Sequence, residues 1–392
     1  EFYRRPIAER GSLTESQDRS LGFLGKLMVS YNETFFDKLY VTSMFGSSLE
    51  GTTTDNSSFT TRGFYSDQLG HPRYGLGYDG GARPSGSEAQ ARGAGFFFNG
   101  NAIYDNRYSV DVVYRYEGSS RFGRNQRFAP FWSLGAGWNL HNENVQMLKL
   151  RASMGYLGNV SFEPYQALTT YDYNKGIDYM VGAGAVPITI GNPDLKWERT
   201  LSMNTGIDLT LFKSRWDLTL DVYRKLTDNL LLDVSKAPSV GVSGGTAKEN
   251  VGEIENKGIE FQTRVVPIQG KDLQWSLSLN YSYNNNKVRK ISDALRKINE
   301  RAVQADSMST RSTTPLPLYE EGESLTALKV VPSAGIDPAT GREVYIKRDG
   351  SYTFNYDPND RRVFGDTSPL GYGTLTSYLF WKGFSLNASF GY

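Results

Sequence analysis

The sequence predicts an all-β protein, a transmembrane antiparallel β-barrel, from three observations. Apolar and polar side chains alternate strictly over membrane-length segments, the segments pair off as hairpins, and short and long connections alternate between them. Between Arg199 and Tyr283 the alternation is clearest. Leu201, Met203, Ile207, Leu209 and Leu211 take one face, and Ser202, Asn204, Gly206, Asp208 and Thr210 the other. After Lys213-Ser214-Arg215 the pattern resumes with Trp216, Leu218, Leu220 and Val222 against Asp217, Thr219 and Asp221. A period of two places one set of side chains in an apolar medium and the other in water. About ten residues is also the length of a tilted strand that crosses a bilayer.

Twelve candidate strands in six hairpins follow along the chain. They span 20–31 and 38–50, 94–104 and 107–117, 128–140 and 146–156, 199–212 and 216–225, 254–266 and 273–284, and 371–380 and 384–392. The second hairpin alternates Tyr108, Val110, Val112, Tyr114 and Tyr116 with polar residues, and the third alternates Trp132, Leu134, Ala136, Trp138 and Leu140 with Ser, Gly and Asn. Trp275, Leu277, Leu279, Tyr281 and Tyr283 close the fifth, and Phe384, Leu386, Ala388, Phe390 and Tyr392 the sixth.

Links within hairpins are short, such as Asp105-Asn106 and Trp381 to Gly383. Links between hairpins are long at 51–93, 157–198, 226–253 and 285–370, with 118–127 the brief exception. Outer-membrane barrels sort their connections this way, with short periplasmic turns and long extracellular loops, whereas a soluble sandwich has no reason to. Inside 285–370 the charged run Ile291 to Asp306 suggests a short helix. Leu325–Val331 and Glu343–Lys347 suggest a further hairpin around Asp337-Pro338-Ala339-Thr340-Gly341.

Composition agrees and excludes other classes. Aromatics make up 13% of the 392 residues, led by 25 Tyr and 21 Phe, as strands and interfacial girdles require. The absence of cysteine removes thiolate catalysis, disulfides and cysteine-ligated metals. A mean hydropathy of −0.47, with no stretch near 18 consecutive apolar residues, excludes a helical membrane protein. A formal net charge of +1 argues against a nucleic-acid partner. No export signal stands at Glu1, so a barrel reading expects the sequence to be a fragment or processed product.

Specific motifs then bring in a family. Gly191-Asn192-Pro193-Asp194-Leu195-Lys196-Trp197-Glu198, running into a strand, resembles the NPxLKWE signature of SusC/RagA-type TonB-dependent transporters. In the same order come Gly118-Ser119-Ser120-Arg121-Phe122-Gly123, the strand Phe131 to Trp138, and Leu148 to Gly155 with Gly158-Asn159. Asn250 to Glu260, Gly335 to Gly341 and Trp381 to Leu386 complete the series, although Tyr116-Glu117 replaces the usual Arg and Asp of the RxDGSSRFG pattern. The resemblance implies a plugged outer-membrane barrel of about 22 strands. It also implies an N-terminal plug, a TonB box that couples uptake to the inner-membrane proton gradient, and a SusD-like surface lipoprotein as lid. Oligosaccharides or oligopeptides would be the cargo, in a Gram-negative bacterium of Bacteroidetes type. Neither plug nor TonB box is found here, so residues 1–392 read as one partial barrel of about 12 strands with no enzymatic or cofactor role.

Inward residues such as Asp208, Asp217, Asp221, Glu260 and Arg264 are expected to line the lumen, and selectivity to lie in the outer loops. The candidate substrate-binding residues are loop aromatics: Phe64, Tyr65, Tyr74 and Tyr78 in one loop, and Phe162, Tyr165, Tyr171, Tyr173 and Tyr179 in another. A flat ring stacks on sugar or peptide while nearby polar groups set orientation; the same rings could equally pack the loops together. Gly75 to Gly80 formally fits G-x-G-x-x-G but lacks the strand and helix that motif needs. His71 and His141 have no metal-type spacing, and no metal is expected. Glu320-Glu321-Gly322-Glu323 reads as a solvated acidic patch rather than a glycosidase pair. Asp357-Pro358-Asn359-Asp360 reads as a turn, with a calcium loop as the competing reading. A passive outer-membrane channel and a secreted all-β carbohydrate-binding or adhesion module are the alternatives to an energised importer.

Overall fold

The computed structural model describes residues 4–79, 84–140, 145–160, 162–179, 182–235, 246–293, 295–297, 299–300 and 318–392. Twelve antiparallel strands form one continuous wall: β1 (Ser12–Phe35), β2 (Leu39–Phe64), β3 (Ser85–Tyr104), β4 (Tyr108–Ser119), β5 (Phe128–Leu140), β6 (Val145–Asn159), β7 (Glu198–Leu211), β8 (Trp216–Asp228), β9 (Gly252–Gln269), β10 (Leu273–Ile291), β11 (Gly371–Trp381) and β12 (Phe384–Gly391). Their spatial order is their chain order, each strand pairing with the next, and a short strand Gly75–Tyr78 adds to β2. No helix among the described residues is long and apolar enough to cross a membrane; strands need none.

The twelve predicted strands are all present, and the turns explain their register. Asp105 and Asn106 both adopt φ of 53°, and Lys382 and Gly383 adopt 44° and 91°. Two successive left-handed residues make the turn whose twist matches a tight hairpin. Asn, Asp and Gly accept that conformation at least cost.

The first two strands run well past their predicted ends, because the segment Thr52–Thr61 that was expected to begin a loop is ladder. There most pairs are polar whichever face they take: Thr14 and Thr60 hydroxyls lie 2.9 Å apart, and those of Ser16 and Ser58 2.8 Å apart. Threonine keeps the strand preference of a β-branched residue without an apolar signature. Alternation is lost where neither face meets lipid, so the connection expected over 51–93 shrinks to residues 65–84.

Small hairpins fill the other long connections: Thr170–Tyr179 with Gly182–Thr189, and Leu231–Ser235 with Thr246–Asn250. Of the charged run expected to be helix, Ile291 instead ends β10, helical residues occur at 293, 295–297 and 299–300, and residues 294, 298 and 301–306 lie outside the described residues. The predicted pairing of Leu325–Val331 with Glu343–Lys347 is wrong. Ala327–Val330 pairs with Arg362–Asp366, and Ser333–Ile336 is the partner of Glu343–Ile346. Asp337 explains the choice. Its carboxylate accepts from Thr340 Oγ1 at 2.6 Å and Ala339 N at 3.3 Å, closing a turn that returns the chain directly onto Ser333–Ile336.

Candidate functional site

Register divides the wall into two surfaces. Leu209 lies opposite Leu218, Ile207 opposite Leu220, and Leu220 opposite Phe261, so one face is continuously apolar across β7 to β9. Residues on that face are open, with Leu27 70% and Leu386 63% exposed. Aromatic rings bound it at both ends. Tyr108 stacks with Trp138 near the short turns, their centroids 6.3 Å apart, and Trp132 meets Tyr156 edge-on at 6.0 Å near the loops. Tyr108 and Tyr116 are eight residues apart on β4, about 27 Å along a strand and about 20 Å in height at ~40° tilt. That span is close to the ~25 Å apolar band of outer-membrane barrels.

The opposite face is polar. Asp221 faces Glu260 and Asp217 faces Arg264, and Asp208 stands on the same surface, so the five predicted inward residues do come together. Their organiser is Arg151 on β6, which the sequence reading did not single out. Its guanidinium donates to Asp208 through Nε at 2.7 Å and Nη2 at 3.0 Å, and to Asp221 at 3.1 Å, so one cation bridges three strands. Gly206 leaves the space: a Cβ there would lie 2.4 Å from Asp221 Oδ1 and 2.8 Å from Arg151 Nη2. The signal available was an Arg on the polar face of one strand with Asp at matching positions of the next two.

Concavities open on this polar face. One of about 690 Å³ is edged by Lys26, Glu50, Arg115, Glu117, Arg121 and Trp197. Another, about 310 Å³, is lined by Asp221, Glu260, Gln262, Asn280, Ser282 and Tyr372. Mixed charge, hydroxyl and amide groups around an open cleft supply donors and acceptors to a polar solute.

At the loop end the family motifs converge. Phe122, Phe131, Phe162, Leu195 and Trp197 form a buried cluster with Ala129, Ala167 and Leu231. Trp197 stacks on Phe122 with centroids 4.1 Å apart, meets Phe131 edge-on at 5.2 Å, and donates Nε1–H to Arg127 O at 3.1 Å. Gly123 N donates to Leu195 O, and a Cβ on Gly123 would lie 2.1 Å from Pro193 O, so only glycine fits that crossing. Asn250 ties in a third segment: its Oδ1 accepts from Lys196 N at 3.0 Å and its Nδ2 donates to Asn229 O at 2.9 Å. These motifs hold the loop bases together.

The predicted loop aromatics divide. Phe64 and Phe162 are buried, at 6% and 7% exposure, and take the packing role rather than an open stacking surface. Tyr165 is anchored, its hydroxyl accepting from Gln90 N at 2.9 Å. Tyr78 meets Phe59 edge-on, and Tyr74 meets His71. Tyr65 and Tyr171 are open at 57% and 60%. The side chains of Tyr173 and Tyr179, and all of His141, lie outside the described residues.

The acidic run is not merely solvated. Glu320 and Glu323 hold the buried Lys329 ammonium at 2.8 and 2.5 Å, and Glu321 accepts from Ile291 N. Asp357 caps the turn Pro358–Asp360 by accepting from Asn359 N at 2.9 Å.

Comparison with known proteins agrees with this geometry. The family model described as "TonB dependent receptor-like, beta-barrel" matches residues 7–392. The chain is 30% identical over 349 residues to TonB-dependent receptor P39 of Formosa agariphila, covering 87% of this chain and 32% of that protein. It is 28% identical over 299 residues to TonB-dependent receptor SusC of Bacteroides thetaiotaomicron, covering 72% and 29%. The chain thus spans about a third of the length of these curated relatives. The RagAB peptide importer in its closed-closed state superposes with a TM-score of 0.80 at 25% identity, covering 97% of this chain and 42% of that one. The chain belongs to the TonB dependent receptor-like β-barrel family, as a relative of its SusC/RagA-type members.

Proposed function

We propose that this chain forms barrel wall in an energised outer-membrane importer of oligosaccharides or oligopeptides. It would act with a SusD-like surface lipoprotein and be driven through TonB. The observation that carries the reading is the two-faced wall: an apolar band between aromatic girdles outside, a polar face with open concavities inside, and family motifs knotted at the loop end. A passive channel would share the first two features, and the SusC-type motifs favour the energised form. The likeness to a RagAB peptide importer favours oligopeptide over glycan cargo.

The test is uptake of fluorescent oligopeptides and oligosaccharides by cells carrying the native gene, with and without TonB. Loss of uptake on removing TonB, together with a co-purifying lipoprotein, supports the proposal. Uptake indifferent to TonB would point to the passive channel. A protein stable in water without detergent would leave the secreted β-module instead.

A further inference from the structure

One part of the apolar face is unlike the rest. On the loop side of β8 to β10, Arg224, Lys257 and Arg289 converge on a single carboxylate. Glu255 is 3% exposed and receives Arg224 Nε at 2.6 Å, Lys257 Nζ at 3.3 Å and Arg289 at 3.5 Å. Lys287, the register partner of Glu255, is exposed at the same level. Four cations against one anion leave a surplus of three positive charges (4 − 1 = 3). The three that bind Glu255 remain about half exposed, at 44%, 57% and 52%.

Lys257 lies opposite Arg224, Ile259 opposite Val222 and Glu255 opposite Leu226, so the cluster stands on the outward, lipid-side face rather than in the lumen. Arg224 is eight residues from Trp216 on β8, about 20 Å higher by the same ~3.3 Å rise and ~40° tilt, at the level of the loop-side girdle. Directly on the turn side lies an apolar groove of about 430 Å³. Met203, Val222, Ile259 and Tyr283 line it, and Arg224 and Lys257 close its upper end.

We propose that this surface binds a phosphate-bearing lipid of the outer leaflet, with the headgroup phosphate on Arg224, Lys257 and Arg289 and an acyl chain in the groove. The proposal rests on the reading that the wall stands in a bilayer. Two features commit it to a lipid rather than a soluble anion. Charge surplus calls for an anion at interfacial depth, where anionic lipid headgroups are attracted to clustered Lys and Arg. The groove beneath calls for hydrocarbon, and only a lipid delivers both from one molecule. Buried Glu255 keeps the three cations close together, which the mutual repulsion of like charges would otherwise oppose.

The test uses the purified protein in phosphatidylcholine nanodiscs doped with phosphatidic acid or with diacylglycerol, and reads retained lipid by native mass spectrometry. Phosphatidic acid is expected to be retained in preference to both diacylglycerol and phosphatidylcholine. In the Lys257→Gln/Arg289→Gln variant, which leaves the Arg224–Glu255 pair in place, retention should fall roughly tenfold or more. Val222→Trp fills the groove without altering charge and should weaken phosphatidic acid while leaving inorganic phosphate binding unchanged. Equal retention by wild type and the double variant would overturn the proposal. So would displacement of the lipid by inorganic phosphate at comparable concentration, which would mark a free-anion site. Failure of the wild type to enter the bilayer would sink the membrane reading itself, and is seen before any lipid is counted.

Discussion

The wall and the loop-end knot are stabilised in opposite ways. In the knot, Leu195 is fully buried and Phe122 is 1% exposed, so side chains leave water for a dry interior as in a soluble domain. In the wall, Leu21, Leu27 and Leu386 are all more than 60% exposed, and the polar residues point inward. Hydrogen-bonded ladders hold the wall, and its apolar surface is satisfied by lipid instead of by protein. The same leucine therefore carries different information in the two regions. In the knot its size matters, because neighbours pack around it; in the wall only its polarity does.

The sharpest break is at Trp197. Trp197→Ala should cost about 3–5 kcal/mol locally, as for other buried aromatic deletions. Hydrogen exchange should rise sharply over 118–127 and 191–198 while the ladder amides of β7 and β8 stay protected. Collapse of the whole wall would show that the two regions are not separable.

Next in size is an outward charge. Leu220→Arg places a cation midway between Trp216 and Arg224 on the lipid side and should destabilise the folded barrel by about 2–4 kcal/mol. Thr219→Arg, one residue away on the polar face, should change stability by no more than about 0.5 kcal/mol. Equal effects in urea titrations from lipid vesicles would contradict the assignment of faces.

Arg151→Ala follows. Arg151 is 33% exposed and its partners Asp208 and Asp221 are 20% and 16% exposed, so solvent screens part of the loss, and about 1–3 kcal/mol is expected. Arg151→Lys should restore less than half, because an ammonium cannot reproduce the fork onto Asp208. Full rescue by Lys would show that charge alone matters there.

The smallest effect is at Asp337, outside the wall. Its carboxyl is held below the usual range, chiefly by the Thr340 hydroxyl and then by Ala339 N. A native pKa below the unfolded value means the turn is fully favoured above the ordinary carboxylate range and loosens as pH falls through the lowered value. Amide exchange at Ala339 and Thr340 should accelerate only in acid, and Asp337→Asn should remove that dependence. A pH-independent profile in the wild type would refute it.

Much was legible in the residues themselves. Strict alternation from Leu201 to Val222 placed strands, turns and faces, because a strand with lipid on one side and water on the other must alternate whatever surrounds it. Asp105-Asn106 and Lys382-Gly383 marked their turns for an equally local reason. The inward set Asp208, Asp217, Asp221, Glu260 and Arg264 came from the same parity, whereas the loop aromatics could be named but not sorted. Phe162 and Tyr171 look alike in sequence; burial within the Phe122–Trp197 cluster separates them, and that cluster joins residues more than sixty positions apart.

Only the tertiary structure decided the rest. Polar Thr52–Thr61 continues β2 because β1 offers a pairing partner, which no local pattern records. Arg151 became a hub because register brought Asp208 and Asp221 to one spot and Gly206 left it room. Polarity along a strand is a property of each residue and its medium, and can be read singly. Convergence of distant side chains is set by register and loop closure, and exists only once the chain has folded.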